Sequence, residues 1–65
     1  MTLAKAYELL QDQVDFGGFY NRNAARLILA EVQREHGHNA VDKIIRDLDL
    51  EKVFGFKPGD EFKPF

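Results

Sequence analysis

The sequence contains no cysteine and no tryptophan, and only two prolines and one methionine among its 65 residues. Without cysteine the chain can form neither a disulfide nor a thiolate zinc site, which are the usual supports of very small domains. No segment approaches the roughly 18 apolar residues of a membrane span, and the first residues lack a signal-peptide pattern. We therefore expect a single cytoplasmic domain without membrane contact, whose stability comes from packing or self-association.

A strong excess of either charge is also absent. Nine Lys and Arg residues stand against eleven Asp and Glu residues, which gives a net charge of −2 at pH 7. Proteins that bind nucleic acid through their overall field are typically basic, so this balance argues against a nucleic-acid partner. Hydrophobic residues make up 45% of the chain and charged residues 31%, as is typical of an ordinary globular domain.

Apolar residues occur at helical spacing in three segments. The first segment follows Thr2, a preferred N-cap residue, and stops at a loop that two glycines predict over residues 15–20. The second segment begins at Asn21 or Asn23 and ends at Gly37. The predicted core positions are Tyr7, Leu10, Ile28, Leu29, Val32, Ile44, Ile45 and Leu48.

The third segment begins at Asn39 as its N-cap, and the apolar spacing later loses its phase. We expect a break near Asp49 and a short final turn that ends at Gly55. The sequence therefore predicts an all-α fold, a small three-helix domain with a short fourth helical turn over residues 1–55. Residues 56–65 form an irregular C-terminal tail, because two prolines exclude a regular helix there.

Aromatic residues concentrate in the predicted loop and in the tail. The loop contains Phe16, Phe19 and Tyr20, and we expect its two phenylalanines to close an open end of the core. The tail contains Phe-Lys-Pro twice, beginning at Phe56 and at Phe62. We expect Phe56 to fold back across the helices. The alternative is an extended tail whose rings bind another molecule.

The chain has more apolar side chains than three short helices can bury in a monomer. We therefore expect a contiguous apolar patch on its surface. Self-pairing about a two-fold axis is the commonest way to cover such a patch. The sequence therefore predicts a non-enzymatic protein-interaction or regulatory module that acts as a homodimer, with Phe54 or Phe56 near the centre of the interface. The predicted interaction residues are Phe16, Phe19, Tyr20, Phe54, Phe56 and Phe62, with Leu27 and Val53 beside them.

A first alternative is a weak DNA-binding protein. The second and third segments resemble a helix-turn-helix in their lengths and in one tight turn. On the would-be recognition helix, Asp42 and Asp47 would weaken the attraction to phosphate. The basic residues that this alternative requires are Arg22, Arg26, Lys43 and Arg46.

A second alternative is a metal-binding regulator that uses His36 and His38, because two imidazoles across a turn could converge on a zinc or nickel ion. No third ligand lies at a diagnostic spacing, and a favourable interaction with the helix dipole also explains histidines at a helix end. We therefore predict neither a metal nor a cofactor. Nor do we predict enzymatic activity, since the only side-chain hydroxyls are those of Thr2, Tyr7 and Tyr20.

Overall fold

A computed structural model describes residues 1–16 and 18–62 of the chain, and for residues 18–21 it describes the backbone alone. This part of the chain contains the four helices α1 (Leu3–Asp15), α2 (Gly18–His36), α3 (His38–Asp47) and α4 (Leu50–Phe54). The all-α prediction of three helices followed by a short fourth turn is therefore confirmed.

Helix α1 begins where the sequence predicts, because the Thr2 hydroxyl accepts a hydrogen bond from the Lys5 amide at 3.1 Å. Its end differs from the prediction. The helix continues through Asp15, and α2 already begins at Gly18, so helix replaces most of the loop expected over residues 15–20. Gly18 is the first residue of its helix, where glycine is less costly than in a helix interior.

Gly37 joins α2 to α3 without any further residue. It is the N-cap of α3, with φ 89° and ψ 176°, and its amide donates to the Gln33 carbonyl at 3.0 Å. The prediction of Asn39 as the N-cap is wrong, because the N-cap is Gly37, two residues earlier, and α3 begins at His38. A residue with a side chain rarely adopts this backbone conformation, so a single glycine can end one helix and start the next.

The break predicted near Asp49 is confirmed. Asp49 precedes α4 with a left-handed backbone (φ 54°), and Gly55 ends that helix with φ 81°. Both apolar residues at the ends of α4, Leu50 and Phe54, are buried. The apolar spacing thus changes phase where the chain changes direction between α3 and α4. This change of direction turns the short apolar face of α4 toward the same core.

The core lies around α2, which contacts α1, α3 and α4. Five of the predicted core residues are fully buried there: Leu10, Leu29, Val32, Ile44 and Ile45. Tyr7, Ile28 and Leu48 also pack against this core but are only partly buried, so the prediction that they are buried is met only in part.

Residues 56–62 have no helical structure and pack across the helices; we call them the C-terminal strap. Within it, the Lys57 amide donates to Oδ2 of Asp60 (2.9 Å) and the Asp60 amide donates to the Lys57 carbonyl (3.1 Å), forming a turn. Phe56 and Phe62 lie in the hydrophobic core. The strap therefore covers the core as part of the fold. Residues 63–65, the end of the predicted tail, lie outside the described residues.

Candidate interaction surfaces

The rings of Phe54, Phe56 and Phe62 form one buried cluster. The ring centroids of Phe54 and Phe56 are 5.7 Å apart, and those of Phe56 and Phe62 are 5.2 Å apart in an edge-to-face arrangement at 87°. All three side chains are almost completely shielded by the chain itself. The expectation that they contribute to an exposed patch is therefore wrong, because α4 and the strap bring them into the chain's own core.

Polar groups on α2 and α3 fix the strap. The Gly59 amide donates to Oδ1 of Asp42 at 2.8 Å, and the Phe62 amide donates to Oε1 of Gln33 at 2.7 Å. Sequence reasoning missed both acceptors. They lie 17 and 29 residues from their donors, and no local pattern signals such a distance.

Arg22 also belongs to this arrangement. Its Nε donates to the Phe54 carbonyl at 3.0 Å, and its guanidinium carbon lies 4.9 Å from the centroid of the Phe56 ring. A cation over an aromatic face is attracted by the ring quadrupole. Arg22, predicted as a phosphate-binding residue, thus stabilises the junction between α4 and the strap.

The four basic residues of the DNA-binding alternative all lie beside acidic side chains. Arg22 and Arg26 line a hollow of about 270 Å³ beside the strap, which also contains two acidic side chains, Asp60 and Glu61. Lys43 pairs with Asp47 on α3 at 2.8 Å.

Arg46 lines a different cleft, of about 460 Å³, between α3, α4 and the strap. Its walls carry charges of both signs over an apolar floor. The lining residues are Ile45, Arg46, Asp49, Glu51, Lys52 and Pro58. Because the positive and negative charges in this cleft balance, it does not attract the phosphate backbone of a nucleic acid.

The two histidines do not converge with other ligands. Nε2 of His36 lies 2.9 Å from the Met1 carbonyl; since a carbonyl can only accept, this nitrogen carries the proton and is not available to a metal ion. His38 begins α3 and is exposed. Within residues 1–16 and 18–62, no group of three or more His, Asp or Glu side chains could coordinate a metal.

A polar cluster links α1 to α3. The Tyr7 hydroxyl donates to Oδ2 of Asp47 at 2.6 Å, and Nζ of Lys43 donates to the same oxygen at 2.8 Å. The hydrogen bond from Lys43, followed by that from Tyr7, lowers the pKa of Asp47. Burial and the neighbouring Asp47 raise the pKa of Tyr7. The two hydrogen bonds to Asp47 thus join α1 to α3.

Three large apolar side chains are substantially exposed in the described part of the chain: Phe16 (82%), Leu27 (46%) and Leu3 (38%). Phe16 is the C-cap residue of α1, and the expectation that its ring closes the core is wrong. The side chains of Phe19 and Tyr20 lie outside the described residues.

Leu27 borders a shallow hollow on the outer face of α2, with a volume of about 160 Å³. Its lining residues are Leu27, Ala30, Glu31 and Arg34. The Ala30 side chain forms the floor and is only 3% exposed. Arg34 pairs with Glu31 and with Glu35, each at 3.6 Å. The sequence predicted that Leu27 is exposed but did not predict the hollow. A small residue three positions after an exposed leucine, here Ala30, could have indicated it.

Comparisons of the chain with protein-family models, with curated proteins and with solved structures find no match. In residues 1–16 and 18–62, no helix combines the length with the apolar composition that crossing a lipid bilayer requires. The surfaces described above are therefore the basis for a functional proposal.

Proposed function

We propose that this protein is a non-enzymatic interaction module that acts through contacts with another protein chain, as a homodimer. The exposure of the Phe16 ring (82%) is the observation that carries the proposal. Transfer of a phenylalanine side chain from water to a buried site contributes roughly 1.5–3 kcal/mol. A second chain that covers this ring gains that contribution, whereas the folded monomer leaves it unused.

The two alternatives receive less support. DNA binding would need Arg22 and Lys43, yet Arg22 is committed to Phe54 and Phe56, and Lys43 to Asp47. Metal regulation would need His36, whose Nε2 already faces the Met1 carbonyl. The absence of catalysis and a cytoplasmic location stay predictions of the sequence.

Sedimentation equilibrium from micromolar to near-millimolar concentration tests the proposal. We expect the apparent mass to rise from 7.5 kDa toward twice that value. The variant Phe16→Ser should associate more weakly. Glu8→Ser, an exposed polar position on the same helix, is the matched control and should associate as the parent does. A mass that stays near 7.5 kDa throughout would contradict the proposal.

A further inference from the structure

The outer face of α2 carries a shallow hollow beside the exposed side chain of Leu27. Leu27, Ala30, Glu31 and Arg34, which line the hollow, stand at positions i, i+3, i+4 and i+7. Four residues at this spacing form the hole that receives one side chain of a facing helix in a coiled coil. The hollow has a volume of about 160 Å³, and a single aliphatic side chain can enter it.

The geometry points to a second copy of this chain as the occupant, with its α2 antiparallel and its Leu27 inserted in the hollow. This inference rests on the proposed function and adds the outer face of α2 to the contact that the Phe16 ring makes in the homodimer. Leu27 borders the hole and is also the exposed aliphatic side chain in the middle of the same face. A two-fold axis therefore lets each chain supply one knob and one hole.

Charge selects the antiparallel orientation. If Leu27 of one copy enters the hole centred between Ala30 and Glu31 of the other, the two-fold axis crosses α2 near residues 28–29. Arg34 then faces the uncharged residues Asn23 and Ala24 of the second copy, both exposed, and no like charges meet. A parallel pairing would place Glu31 beside Glu31 and Arg34 beside Arg34, which is destabilising.

The face of α2 that lies against the strap is not available to a second helix. Arg22 and Arg26 face the hollow beside the strap, and Gln33 binds the Phe62 amide. The face that is left for another helix is the one that contains Leu27. Because it is a single helix face, the contact is smaller than a standard protein–protein interface, and we expect a dimer with a micromolar to near-millimolar Kd.

Sedimentation equilibrium of matched leucine variants tests the location. Leu27→Lys should weaken the association at least tenfold, because a charge would have to enter the hollow. Leu3→Lys changes a leucine of similar exposure on α1 and should leave the association unchanged. If the parent dimerises and Leu27→Lys dimerises equally well, this inference is overturned while the proposed function stands. A parent that stays monomeric overturns both.

Disulfide crosslinking tests the antiparallel orientation of the two α2 helices separately. Because the chain contains no cysteine, only the introduced cysteines can form disulfides. The variants Ala24→Cys and Arg34→Cys are mixed in equal amounts and oxidised, and the disulfides are identified by mass spectrometry of the digest. Antiparallel pairing predicts that the mixed 24–34 disulfide dominates. Disulfides only between identical positions would overturn the antiparallel arrangement. A circular dichroism spectrum unchanged from that of the parent shows that each variant is folded.

Discussion

At the scale of single residues, Arg22 shows how a surface cation is used inside the fold. Its hydrogen bond to the Phe54 carbonyl and its position over the Phe56 ring connect α2 to the junction of α4 and the strap. A charge-assisted hydrogen bond contributes on the order of 1.5–3 kcal/mol, and a cation–π contact at a solvent-accessible site about 0.5–1 kcal/mol. Partial exposure reduces these values.

The first prediction concerns this residue. Arg22→Met should lower the free energy of unfolding by about 1–2 kcal/mol, since methionine matches the helix propensity of arginine but lacks the donor and the charge. Arg46→Met is the control, because the Arg46 side chain makes no hydrogen bond or ion pair within the described part of the chain. It should change stability by less than about 0.5 kcal/mol. Urea denaturation measures both. Equal losses would contradict the role given to Arg22.

The second prediction is a pH dependence at Asp47. Hydrogen bonds from Lys43 and Tyr7 lower its pKa in the folded state. The resulting stabilisation is fully present above the ordinary aspartate value near 4 and is lost as the pH falls through the lowered value. Between about pH 4 and pH 2 the parent should therefore lose stability more steeply than Asp47→Asn, as followed by urea midpoints. Parallel curves would show that Asp47 contributes nothing.

At the scale of helices and their ends, two glycines are needed for different reasons. Gly37 combines φ 89° with ψ 176°, a region that glycine alone occupies readily, whereas Gly55 combines φ 81° with ψ 14°, a left-handed conformation that asparagine tolerates. An added Cβ would meet no heavy atom within 4 Å at either position. Substitution at these positions therefore reports on backbone strain without steric overlap.

The third prediction compares these two positions. Gly37→Asn should cost about 1–3 kcal/mol of stability, and Gly55→Asn less than about 1 kcal/mol. Thermal unfolding followed by circular dichroism measures the difference, with the same new side chain at both sites. If Gly55→Asn is the more damaging substitution, the backbone conformation given for the α2–α3 junction is wrong.

At the scale of the whole molecule, the strap completes the core. A 65-residue chain buries a smaller fraction of its surface than a larger domain does, so each large buried ring matters. Phe56 and Phe62 supply two such rings from a segment without helical structure. Two of the residues predicted to make the protein associate, Phe56 and Phe62, thus lie in the core of a single chain.

The fourth prediction follows from this arrangement and uses one substitution at two positions. Phe62→Ala should lower the free energy of unfolding by about 3–5 kcal/mol, a large share of the about 5–15 kcal/mol typical of a domain. Phe16→Ala removes the same atoms from a ring that is 82% exposed and should change stability by less than about 0.5 kcal/mol. Calorimetry of both variants checks the contrast. A stable Phe62→Ala protein would show that the strap is not part of the core.

Local patterns in the sequence determined the helices. The apolar spacing and Thr2 defined the start of α1, Gly37 the end of α2, and the phase change near Asp49 the start of α4. These features depend on neighbours within a few residues, through caps, backbone hydrogen bonds and helical periodicity. The exposure of Leu27 could also be predicted from the sequence, because the apolar stripe of α2 is wider than one neighbouring helix can cover.

Only the tertiary structure decided which apolar residues remain on the surface. The strap is directed into the core by the Gly59–Asp42 and Phe62–Gln33 hydrogen bonds, which join residues 17 and 29 positions apart. Nothing in a local period specifies such pairs, because they depend on how whole helices pack. Packing therefore buried Phe54, Phe56 and Phe62, left the ring of Phe16 in solvent, and opened the hollow beside Leu27.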